Sequence, residues 1–121
     1  MANSDAKAEL LDRTKEFALR AIEVFRALPH EEVARVLGKR LLRSATSVGA
    51  QYREAQRAKS CPDFISKIEG ASQELEETRY WLELLAEASV LPAKRLVPLH
   101  EEATELIAIF VTIARRTKRR P

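Results

Sequence analysis

The run SCPDFISKIEGASQELEETRYWLELLAE, Ser60 to Glu87, reads as one long helix and sets the class of the whole chain. Ser60 is a fitting N-cap, because its hydroxyl can accept a free backbone N–H of the first turn. Pro62 fits that turn, where its missing donor is not needed. Phe64, Ile68, Ala71, Leu75, Leu82 and Leu85 then recur at helical spacing and form an apolar side. A second stripe runs along another face. Glu69, Gln73, Glu76, Tyr80, Glu83 and Glu87 are spaced 4, 3, 4, 3, 4.

The segments on either side carry the same period. Pro29, Ser60-Cys61-Pro62-Asp63 and Leu91-Pro92, with Pro98 close behind, cut the chain into four pieces. The first helix is expected from Ser4 or Asp5 to Leu28, with Leu10, Leu11, Thr14, Phe17, Ala18, Ala21, Ile22, Phe25 and Leu28 on its apolar face. The second is expected from Glu31 to Ala58, with Val33, Leu37, Leu41, Ala45, Val48 and Tyr52 inward. The fourth begins at Ala93 or restarts at Pro98 and continues through Leu99, Ala103, Leu106, Ile107, Phe110 and Ile113. Four helices joined by short connections must run antiparallel to their neighbours. The expected architecture is all-α: an up-down-up-down antiparallel four-helix bundle, as one domain over residues 1–121. Three glycines in 121 residues suit this reading, and the few aromatics argue against a base-stacking, single-strand-binding surface.

The formal charge is only +3, but it is unevenly placed. Lys39, Arg43, Arg53 and Arg57 fall within an arc of roughly 80° on the second helix. Arg115, Arg116, Lys118, Arg119 and Arg120 crowd the C-terminus. Such clusters attract phosphate; equally, cations suit the negative end of a helix dipole. The acidic stripe contains no lysine, and Tyr80 and Trp81 lie in or beside it, as aromatics do at interfaces. We therefore read Glu69, Gln73, Glu76, Tyr80, Glu83 and Glu87 as a subunit interface. The candidate nucleic-acid contacts are Lys39, Arg43, Arg53, Arg57, Arg115, Arg116, Lys118 and Arg119. The basic stripe can also meet a neighbour's acidic stripe, a heterologous contact able to close into a ring, or pair with carboxylates of its own chain.

The run Ser44-Ala45-Thr46-Ser47-Val48-Gly49-Ala50-Gln51 is built almost entirely of small side chains, which points to close approach by another helix. Ser47, Gln51 and Glu54 share a face and are expected to hydrogen-bond across to Glu74 and Glu77 as a structural network.

Enzyme chemistry finds no support. No glutamate is followed three residues later by histidine, as a di-iron bundle requires. His30 and His100 lack spaced Cys or His partners for zinc. There is no phosphate loop and no nucleophile elbow. No catalytic residue, metal or cofactor is expected. Cys61 is the sole cysteine, so no intramolecular disulfide forms. Met1 to Lys7 shows no apolar signal core, no run approaches a membrane span, and the expected location is the cytoplasm.

Leu42-Arg43-Ser44-Ala45-Thr46-Ser47-Val48-Gly49-Ala50-Gln51-Tyr52-Arg53-Glu54-Ala55 resembles the signature of the 23S rRNA intervening-sequence family of four-helix-bundle proteins. Asp63-Phe64, and Ala71 to Leu82 with Glu77-Thr78-Arg79-Tyr80-Trp81-Leu82, resemble its second half. Gln51 stands where asparagine is usual, and Gly49 where proline is frequent. The resemblance implies a bacterial bundle assembled as a homopentameric ring, with no settled activity. The accessory proteins of diversity-generating retroelements, a related group, bind a reverse transcriptase and nucleic acid. The combined expectation is a non-enzymatic ring whose basic surface is a candidate for RNA or DNA binding. The alternative is a scaffold that binds only a protein partner.

Overall fold

The computed structural model describes residues 4–119, with Ser4 described by its backbone alone. Met1–Asn3, Arg120 and Pro121 lie outside the described residues, and with them the end of the expected basic tail. Four helices follow one another: α1 (Ser4–Ala27), α2 (Glu32–Ala55), α3 (Cys61–Glu87) and α4 (Ala93–Lys118). They form the up-down-up-down bundle. α2 packs against α1 and α3, α3 against α4, and the seam between α1 and α4 is the thinnest.

The helix ends obey local chemistry. Glu31 caps α2 from outside the helix, its carboxylate accepting from the Ala34 N–H at 2.8 Å. Ser60 caps α3 by accepting from the Asp63 N–H at 3.2 Å, and Asp63 accepts in return from the Lys59 N–H at 3.1 Å. α2 ends at Ala55 rather than Ala58, because Arg57 N–H and Ala58 N–H bond three residues back, to Glu54 and Ala55, in a tightened final turn. α3 stops where Ser89 adopts φ 58°, the left-handed conformation that ends helices, and Val90 N–H reaches back to the Leu85 carbonyl at 2.9 Å. α4 begins at Ala93 and runs uninterrupted past Pro98, which sits on the exposed side.

Phe17, Leu41, Ile68, Leu75, Leu82, Leu85, Leu106 and Phe110 fill the centre without solvent contact. Tyr52 stacks on Phe110 with ring centroids 5.5 Å apart. The inward face of α2 needs one correction. Val33 is 52% exposed, and Ala34 and Gly38 point inward instead. The reason is the short α1–α2 turn. It brings Phe25 and Leu28 so close that a side chain at Gly38 would collide with Leu28, so the smaller residues face in. The small-residue run does pack closely: a Cβ added to Gly49 would stand 3.3 Å from Thr14 Oγ1 and 3.6 Å from the Thr14 carbonyl carbon on α1.

The thin α1–α4 seam is held by charge. Arg13 grips Glu102 with two N–H donors, Nε at 3.0 Å and Nη2 at 2.7 Å, and Nη2 also reaches Glu105 at 3.2 Å. The hydrogen bond to Glu102, above all, raises the Arg13 pKa beyond the usual arginine value, against the opposing effect of desolvation. Arg13→Met keeps the apolar stem and leaves Glu102, with only 17% of its side chain exposed, without its partner. The expected cost is about 2 kcal/mol, read by urea denaturation. A loss below about 0.5 kcal/mol would mean that the clamp contributes no more than an ordinary surface pair.

Candidate nucleic-acid and subunit interface

The basic stripe divides in two. Arg43 leans toward α3 and pairs within the chain, 3.4 Å from Glu74 and 3.3 Å from Glu77. Lys39, Arg53 and Arg57 stay exposed on the outer side of α2 and make no ion pair among the described residues. Arg40, beside the stripe, lies over the ring of Trp81 at 5.5 Å, and Tyr80 meets the same ring edge-on at 5.1 Å.

Alternating helix direction then gathers cations that lie far apart in sequence. The end of α2, the turn into α3 and the end of α4 all fall at one end of the bundle. Arg53, Arg57 and Lys59 from the α2 side and Arg115, Arg116, Lys118 and Arg119 from α4 thus share that end, a basic pole. Of these, Lys118 is paired, with Glu69 at 2.6 Å, while Arg53, Arg57, Lys59, Arg115, Arg116 and Arg119 make no ion pair among the described residues. The sequence showed two separate clusters; their meeting depends on topology.

The acidic stripe is not left to repel itself. Glu69 pairs with Lys118, Glu76 with Arg79 at 2.7 Å on the same helix, and Glu83 with His100 at 2.8 Å on α4. Gln73, Tyr80 and Glu87 remain exposed, and Glu87 makes no ion pair among the described residues. These pairs are largely solvated and individually weak. Next to Tyr80 lies a different kind of surface. Val33, Val36 and Tyr80 are 52%, 49% and 54% exposed around Arg40 and Trp81, and Trp81 Nε1 is buried without a hydrogen-bond partner. An apolar patch of this kind with aromatic and arginine content is typical of contact surfaces.

The expected polar network also differs in detail. Ser47 donates to the Arg43 carbonyl of its own helix at 2.7 Å, and Glu54 pairs with Lys67 at 3.4 Å. The Gln51 amide lies over Gly70, which has no side chain to displace it. Glu74 and Glu77 take Arg43. The bridge between α2 and α3 is instead Ser44 to Thr78, 2.8 Å apart and fully buried, with Thr78 Oγ1 also donating to the Glu74 carbonyl. The face was misjudged because Ser44 and Thr78 look like interruptions in an apolar pattern. Both are satisfied inside the core: Thr78 donates to the Glu74 carbonyl and accepts the Ser44 proton.

Glu74 sits low between α2 and α3, its side chain 15% exposed. Burial, chiefly, pushes its pKa above the usual 4.5; Arg43 opposes the shift and Glu77 adds to it. The folded chain thus holds this proton more tightly than the unfolded one. The stability that Glu74 contributes is present below the usual value and lost as pH rises through the raised one. Glu74→Gln cannot ionise. It is expected to melt like the parent at about pH 4 and about 2 °C higher at neutral pH. A lower melting temperature at neutral pH would show that the ion pair with Arg43 outweighs burial.

Among the described residues no three His, Cys, Asp or Glu side chains cluster as a metal site. None of the described helices is long and apolar enough to cross a membrane.

Four antiparallel helices, joined by short connections and bridged in the core by Ser44 and Thr78, define a small all-α bundle. Residues 6–112 match the model of the 23S rRNA-intervening sequence protein family, and the chain belongs to that family. A solved structure similar to it is a protein of unknown function from the S23 ribosomal protein family of Bacteroides thetaiotaomicron. The two share 36% identity over 86% of this chain and 96% of that one, with a TM-score of 0.81. Among curated proteins, none matches the chain.

Proposed function

We propose that this chain is a non-enzymatic, cytoplasmic bundle protein that assembles with copies of itself, as a homopentameric ring, and holds RNA or DNA through phosphate contacts. The observation that carries the nucleic-acid reading is the basic pole, where Arg53, Arg57, Arg115 and Arg119 stand exposed and make no ion pair among the described residues. Exposed cations at one end of the bundle, without intramolecular pairs to break among the described residues, lose little on meeting phosphate and release its condensed counterions. Self-assembly is supported by the Val33, Val36 and Tyr80 patch around Trp81. The pentamer rests on the family resemblance. Arg43 is less suited to meeting a neighbour's acidic stripe, since Glu74 and Glu77 already engage it. Lys39, Arg53 and Arg57 keep that possibility, with Glu87 as an unpaired counterpart.

Native mass spectrometry of the purified protein, with and without nuclease, tests both parts together. The expected result is a ring mass that drops by bound nucleic acid after digestion. A ring without nucleic acid would favour a scaffold that binds only protein, and a monomer under all conditions would remove the assembly.

A further inference from the structure

The bundle end that carries the basic pole is also open. A cleft of about 620 Å³ enters between the start of α1, the end of α2, the start of α3 and the end of α4. This is the size of cavity that holds small organic ligands. Its floor is apolar, with Leu10, Ala55, Phe64 and Ile113 among the lining residues. Its rim is cationic: Lys7, Lys59 and Arg116 line it, and no aspartate or glutamate does among the described residues. That one-sidedness is notable in a chain with 18 carboxylates against 21 cations. None of the three rim cations makes an ion pair among the described residues. Tyr52 also lines the cleft. Its side chain is nearly closed off, at 4% exposure, yet its hydroxyl makes no hydrogen bond to any described residue.

An apolar floor, three cations without ion pairs among the described residues and a tyrosine hydroxyl left to the cleft together specify a ligand. We infer that this cleft binds an amphiphilic carboxylate, an acyl chain lying on the apolar floor with its head group held by the Lys59 and Arg116 side of the rim. The chain removes the floor from water, and the carboxylate is held by charge-assisted hydrogen bonds. The Tyr52 hydroxyl supplies a further donor to an oxygen within the cleft. Lys59 and Arg116 belong to both the pole and the rim, but Arg53, Arg57 and Arg115 do not line the cleft, so their reversal tests phosphate contact without touching this site.

Dodecanoate, titrated calorimetrically into the full chain, is the probe, with dodecanol and dodecyltrimethylammonium as neutral and cationic controls. We expect saturable binding of one dodecanoate per chain, at least about tenfold tighter than either control. Lys59→Glu combined with Arg116→Glu should weaken dodecanoate about tenfold or more and leave dodecanol unchanged. Tyr52→Phe keeps the ring stacked on Phe110 and should weaken dodecanoate about threefold. Ala58→Trp, at the half-buried mouth, should abolish binding of all three amphiphiles while the melting curve stays cooperative. Cys61, the sole cysteine, is exposed on the same rim, so bound dodecanoate should slow its alkylation and Ala58→Trp should remove that protection. No saturable binding up to about 1 mM would overturn the inference. So would equal affinity for the cationic control, or dodecanoate binding that survives Ala58→Trp without protecting Cys61.

Discussion

Replacing Gly49 with leucine is expected to cost about 3 kcal/mol or more, a large share of the roughly 5–15 kcal/mol that holds such a domain together. The argument is geometric. Even a methyl at this position would stand 3.3 Å from Thr14 Oγ1, with α1 backbone only 3.6 Å away. Three further carbons have nowhere to go unless α1 and α2 separate, and that opens the core around Phe17 and Val48, both fully buried. Gly49→Ala behaves differently. The gain in helix propensity, about 1 kcal/mol, opposes a displacement of a few tenths of an ångström, so a change within about 1 kcal/mol is expected. Ala50, next in sequence, faces solvent, and Ala50→Leu is expected to change stability by less than about 0.5 kcal/mol. Urea denaturation of the three variants checks the pattern. If Gly49→Leu were as stable as the parent, the close approach of α1 to α2 would be refuted.

The second large effect concerns the pole. Reversing Arg53, Arg57 and Arg115 together to glutamate is expected to weaken binding of a short RNA by about 100- to 1,000-fold at roughly 0.1 M salt. Each lost phosphate contact forfeits the counterion release that favours the complex, and each new carboxylate adds repulsion. All three side chains are exposed and make no ion pair among the described residues, so the bundle should keep its melting temperature within a few degrees. Reversal of Lys94 and Arg95, also exposed but at the opposite end of the bundle, is the control. It should change affinity by no more than about threefold, since the bundle is several screening lengths long. A triple variant that binds RNA as well as the parent, while folded, would dissociate the pole from nucleic acid. Fluorescence anisotropy of a labelled RNA provides the measurement.

Most of the fold was legible in the sequence because helices announce themselves locally. Ser60 and Pro62 marked the start of α3 correctly, and the apolar spacing from Ile68 to Leu85 named its buried side. Local cues failed where a neighbour decided. Val33 is the bulkier apolar residue in its turn, yet Ala34 and Gly38 are buried, and at Gly38 Phe25 and Leu28 across the α1–α2 turn occupy the space a side chain would need. The residues of both charge stripes are exposed on their helices. A stripe read from one helix does not say which way the next helix lies, so the partners of Arg43, Glu69 and Glu83 came only with the assembled bundle. Arg13 and Glu102 are 89 residues apart, and no periodicity connects them. The same holds for the basic pole and its cleft. Both arise because alternating helix direction returns the end of α4 to the end of α2.

The salt dependence of RNA binding bears most directly on the central claim, that the pole is a phosphate-binding surface. With at least four phosphates engaged, the plot of log affinity against log salt should fall with a slope of about −3 or steeper for a single strand. A flat line over the same range, or no binding at low salt, would contradict the account.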